Sequence, residues 1–197
     1  LEKKWFIRYW VRTPRHGFGK GNMLKALAKI YDKKQAEVKK HSNLNTFTNL
    51  VKAYELDEVP SMNLIVGNYI APMLAKVKEM NKWPTDKLIE YKYDGARYQI
   101  HRDEDTVIIF NRSGVVKTHQ FPDIVEKVLS WDISPFIVDS EIFPIKEDGK
   151  PAEFKRMNAR FHSKDANEGM RKCPCALAIF DCLMYKGNGL IDTPLKD

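Results

Sequence analysis

The chain has 197 residues, 43% of them hydrophobic and 30% charged, with a formal net charge of +7. That is enough apolar material for one sizeable domain, or a whole domain with part of another. No apolar run reaches bilayer length and the start, Leu1-Glu2-Lys3-Lys4-Trp5, has no signal-peptide pattern, so an intracellular protein is the default expectation. The odd set Cys173, Cys175 and Cys182, without a Cys-x-x-Cys pair, argues against a disulfide framework or a zinc site.

Charge is unevenly spread. Residues 1–54 carry 13 Lys+Arg against 3 Asp+Glu, whereas residues 55–197 carry 20 against 23. A concentrated positive field suits a phosphate backbone, because each neutralised phosphate releases condensed counterions; a solvated lysine-rich helical surface gives the same composition.

In chain order, Trp5, Phe6, Tyr9 and Trp10, then Met23, Leu24, Leu27, Ala28 and Tyr31, recur at helical spacing. Between them, residues 13–21 hold one proline and three glycines beside Arg15 and Lys20, which predicts a loop. Asn22 is the expected cap of the second helix, whose amino end favours an anion. A third helix is expected near 44–54. Pro60 marks a boundary, and residues 67–72 lead into a strand-rich part. Strands are expected over 88–93, 97–102, 106–112, 136–144 and 176–185, with a helix over 122–129 after its opening proline and a hairpin turn at Glu147-Asp148-Gly149-Lys150. Helices first and strands afterwards argue α+β with antiparallel pairing.

The densest chemistry lies in Glu90-Tyr91-Lys92-Tyr93-Asp94-Gly95-Ala96-Arg97. Read with period two, Glu90, Lys92 and Asp94 share one strand face and Ile89, Tyr91 and Tyr93 the other. A lysine amine is a nucleophile where its surroundings favour the neutral form or where metal and substrate charge assist deprotonation.

Lys92-Tyr93-Asp94-Gly95 resembles motif I, Lys-x-Asp-Gly, of the covalent nucleotidyltransferases. Four further pieces follow the order seen in ATP-dependent DNA ligases of the archaeal and eukaryotic replicative type. Tyr69-Ile70-Ala71-Pro72-Met73-Leu74-Ala75 resembles the opening of the adenylation domain, and Phe110-Asn111-Arg112-Ser113-Gly114 with Phe121-Pro122-Asp123-Ile124 the segment downstream of the lysine. Phe136-Ile137-Val138-Asp139-Ser140-Glu141-Ile142 is similar to motif III, and Ala178-Ile179-Phe180-Asp181-Cys182-Leu183-Met184-Tyr185 to motif IIIa. The first segment, with Arg15, Gly17 and Gly19, resembles the end of the family's helical DNA-binding domain. Asn111 and Ser140 stand where the family usually has serine and glycine, and Pro14 replaces a common leucine.

The resemblance implies a fragment. Residues 1–60 would end the DNA-binding domain and 61–197 begin an antiparallel-sheet, ATP-grasp-like adenylation domain, truncated before motifs IV to VI and the OB-fold, with sheet edges left open. It also implies the chemistry. Lys92 would take AMP from ATP with Mg²⁺, pass it to a 5′-phosphate in nicked duplex DNA, and a 3′-hydroxyl would displace it, in replication, repair or recombination. Glu90 would recognise adenine and Phe180 stack on it. Arg97 and Arg112 would contact ribose or phosphate, then the nick. Glu141 would hold a ribose hydroxyl or a metal-bound water, and Asp94 the Lys92 loop or the metal. Arg15, Lys20 and neighbouring lysines would grip duplex phosphates irrespective of sequence and with steep salt dependence. Arg160, with Lys155, lies in a basic stretch read either as DNA contact or as solvated surface. A sliding clamp would be met through regions outside this chain, in the cytoplasm of an archaeon or bacterium or the nucleus of a eukaryote. An RNA ligase, a capping-type nucleotidyltransferase and a non-catalytic DNA-binding module remain alternatives.

Overall fold

The computed structural model describes residues 3, 4, 8, 19–74 and 89–194. The chain forms two compact units, Leu1–Met62 and Asn63–Asp197. Trp5, Phe6, Tyr9 and Trp10, and Arg15 with most of the 13–21 loop, lie outside the described residues.

Over residues 19–62 the first unit packs three helices, α1 (Lys20–Ile30), α2 (Gln35–His41) and α3 (Phe47–Glu55). Leu27 and Ala28 of α1 meet Val38 of α2 and Leu50 and Tyr54 of α3 in a small core. The Tyr54 hydroxyl sits 2.9 Å from His41 Nδ1, satisfying two buried polar groups together. Helix α3 is capped by Thr46, whose hydroxyl accepts from the Asn49 N–H. The expected cap at Asn22 is displaced: Gly19 occupies the cap position and Asn22 falls inside the first turn, its N–H bonded to the Gly19 carbonyl. Helix α2 has no sequence signature of its own, since Val38 is its one buried apolar side chain.

The second unit is built on an antiparallel sheet of β1 (Ala96–Arg102), β2 (Val107–Asn111), β3 (Phe136–Pro144), β4 (Cys175–Tyr185) and the short β5 (Asn188–Gly189), in the order β2-β1-β3-β4-β5. Alternation sends Tyr98, Ile100, Val107, Ile109, Val138 and Ile142 to one face, against Phe121 and against Ile124 and Val128 of α4 (Pro122–Leu129). Burying each such side chain stabilises the fold by roughly 1.5–3 kcal/mol. Arg102 Nη1 donates to the Val128 and Trp131 carbonyls, both at 2.6 Å, and so closes the carboxyl end of α4. Short helices α5 (Asn158–Phe161) and α6 (Ala166–Lys172) complete this layer. Along β4, strand pairing on the outer edge reaches only Met184 and Tyr185 among the described residues, so most of that edge is open.

Two further expectations are corrected by the second unit. Residues 89–93 are not a strand: they carry no regular structure and are exposed, so the two-face reading of Glu90, Lys92 and Asp94 does not hold. The sheet begins only at Ala96, where pairing to Ile142 becomes available. Arg160 is not a surface cation. Its side chain is 0% exposed and forks onto Asp123, with Nη1 to Oδ1 at 2.8 Å and Nη2 to Oδ2 at 2.5 Å. Its Nε and Nη1 also donate to the Cys173 and Gln120 carbonyls, and its guanidinium lies over Phe121, so no donor faces a nucleic acid.

Candidate active site

The face of the sheet opposite α4 is polar where the first face is apolar. Arg97, Gln99 and His101 of β1 alternate with the core residues, as do Asp139 and Glu141 of β3. Antiparallel register sets Arg97 opposite Glu141 and Gln99 opposite Asp139. The diagonal pair is the close one: Arg97 Nη2 donates to Asp139 Oδ2 at 2.8 Å, and Asp139 is buried. Arg97 Nη1 donates to the Met73 carbonyl at 3.0 Å, and Cζ lies 5.2 Å from the centre of the Phe180 ring. One donor, Arg97 Nε, is buried without an acceptor among the described residues.

The segment with Lys92 reaches this face through two contacts. Tyr93 stacks on Phe143 of β3, ring centres 4.5 Å apart and 15° from parallel. Gly95 then passes against β3 so closely that a Cβ would sit 2.4 Å from the Ile142 carbonyl oxygen and 2.9 Å from Glu141 Cγ. Only glycine permits that approach. The Gly95 N–H donates to the Glu141 carboxylate, and the charges of Lys92, Arg97 and Asp94 all act on it. Burial pushes the Glu141 carboxyl above its usual range, opposed by Lys92, the Gly95 N–H and Arg97 and reinforced by Asp94.

Arg97, Arg112, Asn111, Glu141 and Leu74 line a cavity of about 440 Å³ beside Gly95, within the range of small-ligand sites. Arg112 follows β2 on a tight loop. The Asn111 side-chain oxygen accepts from the N–H groups of Ser113 at 3.0 Å and Val115 at 2.9 Å, so this departure from serine keeps the turn closed. Ser140, in place of glycine, donates its buried hydroxyl to the Tyr98 carbonyl at 2.9 Å, next to the point where β4 bulges at Phe180.

Of the residues singled out from sequence, Arg97, Arg112 and Glu141 line one cavity, the charges of Lys92 and Asp94 act on Glu141, and Phe180 lies against Arg97. Glu90 is exposed two residues before Lys92. In the first unit, Lys20 lines a basic groove of about 510 Å³ with Lys25 and Lys39. Asp139 and Tyr69 carry contacts that sequence reading missed. Asp139 had a signal, lying two positions before Glu141 on the same strand face. Asp94 and Glu141 are hard oxygen donors whose charges interact, while no group of three or more His, Cys, Asp or Glu placed to hold a metal ion occurs among the described residues. Mg²⁺ takes one or two carboxylates from a protein and completes its shell with water and substrate phosphate. No helix among the described residues is long and apolar enough to cross a membrane.

The DNA ligase of Natronomonas pharaonis is 30% identical over 205 residues, and that of Thermococcus fumicolans 31% over 208; each match covers 100% of this chain and 37% of the relative. The chain thus spans little more than a third of those proteins. Among solved structures, the ligase domain of M. tuberculosis LigD aligns over 54% of this chain and 32% of its own, at 24% identity and a TM-score of 0.42. Residues 72–197 match the family described as the ATP dependent DNA ligase domain, and the chain belongs to that family.

Proposed function

We propose that the protein containing this chain joins nicks in duplex DNA through AMP carried on Lys92. Its ε-amino nitrogen attacks the α-phosphorus of ATP; a P–N bond forms, the α–β bridging P–O bond breaks and pyrophosphate leaves. An oxygen of a 5′-phosphate at the nick then attacks the same phosphorus and releases the lysine. A 3′-hydroxyl finally attacks the activated 5′-phosphate, expelling AMP.

Each step builds charge on non-bridging phosphate oxygens, so fixed cations aimed at them lower the barrier. Arg97 and Arg112 supply that charge in this reading. Arg97 is held on two sides by Asp139 and the Met73 carbonyl, which favours preorganisation, and its free Nε is a donor in want of an oxygen. Glu141 and Asp94 would hold Mg²⁺, which when bound neutralises phosphate charge. Glu141 otherwise serves the ribose, Glu90 the adenine edge and Phe180 its face, and Asp94 keeps the Lys92 loop in place. In the first unit, Lys20 beside Lys25 and Lys39, together with Arg15, would hold duplex phosphates. A sliding clamp would engage parts of the protein beyond these residues.

The observation that carries this proposal is the seating of Gly95 against β3, which brings the lysine segment to Glu141 beside two arginines. Intact-mass spectrometry of the full-length protein after incubation with ATP, GTP or NAD tests it. One AMP on Lys92 from ATP, absent in Lys92→Ala, is expected. A GMP adduct, or an adduct on another side chain, refutes the proposal.

A further inference from the structure

Residues 67–74 have no helix or strand, yet they are bonded to the polar sheet face along their length. The Gly67 N–H donates to His101 Nδ1 at 3.1 Å. Gln99 then pairs with both backbone groups of Ile70: Oε1 accepts from the Ile70 N–H at 2.9 Å, and Nε2 donates to the Ile70 carbonyl at 3.1 Å. His101 fixes the sense of that amide. Because its Nδ1 accepts from Gly67, the proton sits on Nε2, which donates to Gln99 Oε1 at 2.9 Å.

The same segment touches both arginines of the cavity. The Met73 carbonyl accepts from Arg97 Nη1 at 3.0 Å, and the Tyr69 hydroxyl donates to the Arg112 carbonyl at 2.6 Å. The Tyr69 ring lies 5.7 Å from Phe110, centre to centre, and fills the space under Gly114. Gly114 has φ +77°, and a Cβ there would be 2.6 Å from Tyr69 Cδ1, so the Arg112 loop rests directly on this ring.

We infer that residues 67–74 form a latch that sets the spacing of Arg97 and Arg112 for nucleotide phosphate, with Tyr69 the positioning residue that ties the Arg112 loop to it. The inference rests on the proposed role of those arginines. It differs from a purely structural role in what it predicts. Losing the Tyr69 hydroxyl leaves the ring packing intact but frees the Arg112 loop, so ATP binding weakens while the fold does not.

The test is single-turnover transfer of label from radiolabelled ATP to the full-length protein, measured against ATP concentration. Tyr69→Phe is expected to raise half-saturating ATP about fivefold, the effect of one hydrogen bond, with the maximal rate within twofold and the melting temperature unchanged. Gly114→Ala, which pushes the loop off the ring, should raise it at least as far, and the double variant no further than the larger single effect. If Arg112→Ala weakens ATP binding while Tyr69→Phe and Gly114→Ala match wild type, or only lower the melting temperature, the latch is refuted and the role of the arginines stands. If Arg97→Ala and Arg112→Ala leave ATP saturation unmoved, the role of the arginines fails and the latch with it.

Discussion

Arg160 offers the sharpest separation between surface chemistry and core architecture. In Arg160→Met a side chain of similar length replaces the buried guanidinium, removing the fork onto Asp123 and the donors to the Cys173 and Gln120 carbonyls. Breaking a buried ion pair by deleting one partner costs about 3–5 kcal/mol, since the other charge is stranded. Asp123 keeps a side-chain exposure of 25% and can partly rehydrate, which points to the lower end, about 3 kcal/mol. With a urea slope of roughly 1.5 kcal/mol per molar, the unfolding midpoint should fall by about 2 M. Urea titration of the 197-residue chain followed by circular dichroism measures this. Adding Asp123→Leu should recover part of the loss, because no charge then remains unpaired. A midpoint unchanged in Arg160→Met, together with weakened DNA binding, would refute the buried assignment and restore Arg160 as a nucleic-acid contact.

Gly95→Ala puts a methyl group 2.4 Å from the Ile142 carbonyl, so the Lys92 segment must move away from Glu141. A displacement on the order of 1 Å costs about a hundredfold in a positioned reaction, and label transfer from ATP to the full-length protein should fall by at least that factor. Burial holds the His101 imidazole down at about 4, while the unfolded ring takes its proton near 6.5. Between those values the unfolded chain binds more protons, so stability is fully present above pH 6.5 and is lost as pH falls toward 4. The total is about 3 kcal/mol. Urea midpoints compared at pH 7 and pH 4.5 should show most of that difference in the wild type and a flatter dependence in His101→Gln; equal slopes would contradict the buried neutral ring.

The residue order alone determined much of the second unit. Pro122, with Ile124 and Val128 spaced for one helix face, marks α4, and alternation of branched and aromatic residues marks β1 to β4. The motif residues also declared themselves locally, because Lys92-x-Asp94-Gly95 is a short string and the glycine has one steric reason to be there. Helices α2, α5 and α6 leave no periodic signal, being short and polar with one or two buried residues each. Residues 89–93 read as a strand because tyrosines alternate with charges, yet a strand needs a neighbour and those residues have none among the described residues. What only the tertiary structure decided is which charges meet. Arg97 reaches Asp139 and Met73, Arg160 reaches Asp123, and Tyr69 reaches the Arg112 loop across separations of 24 to 43 residues. Periodicity reports whether a side chain faces inward or outward on its own element. Whether an inward arginine finds a carboxylate, or an outward one a phosphate, depends on sheet register and loop path, which are set by packing between distant segments.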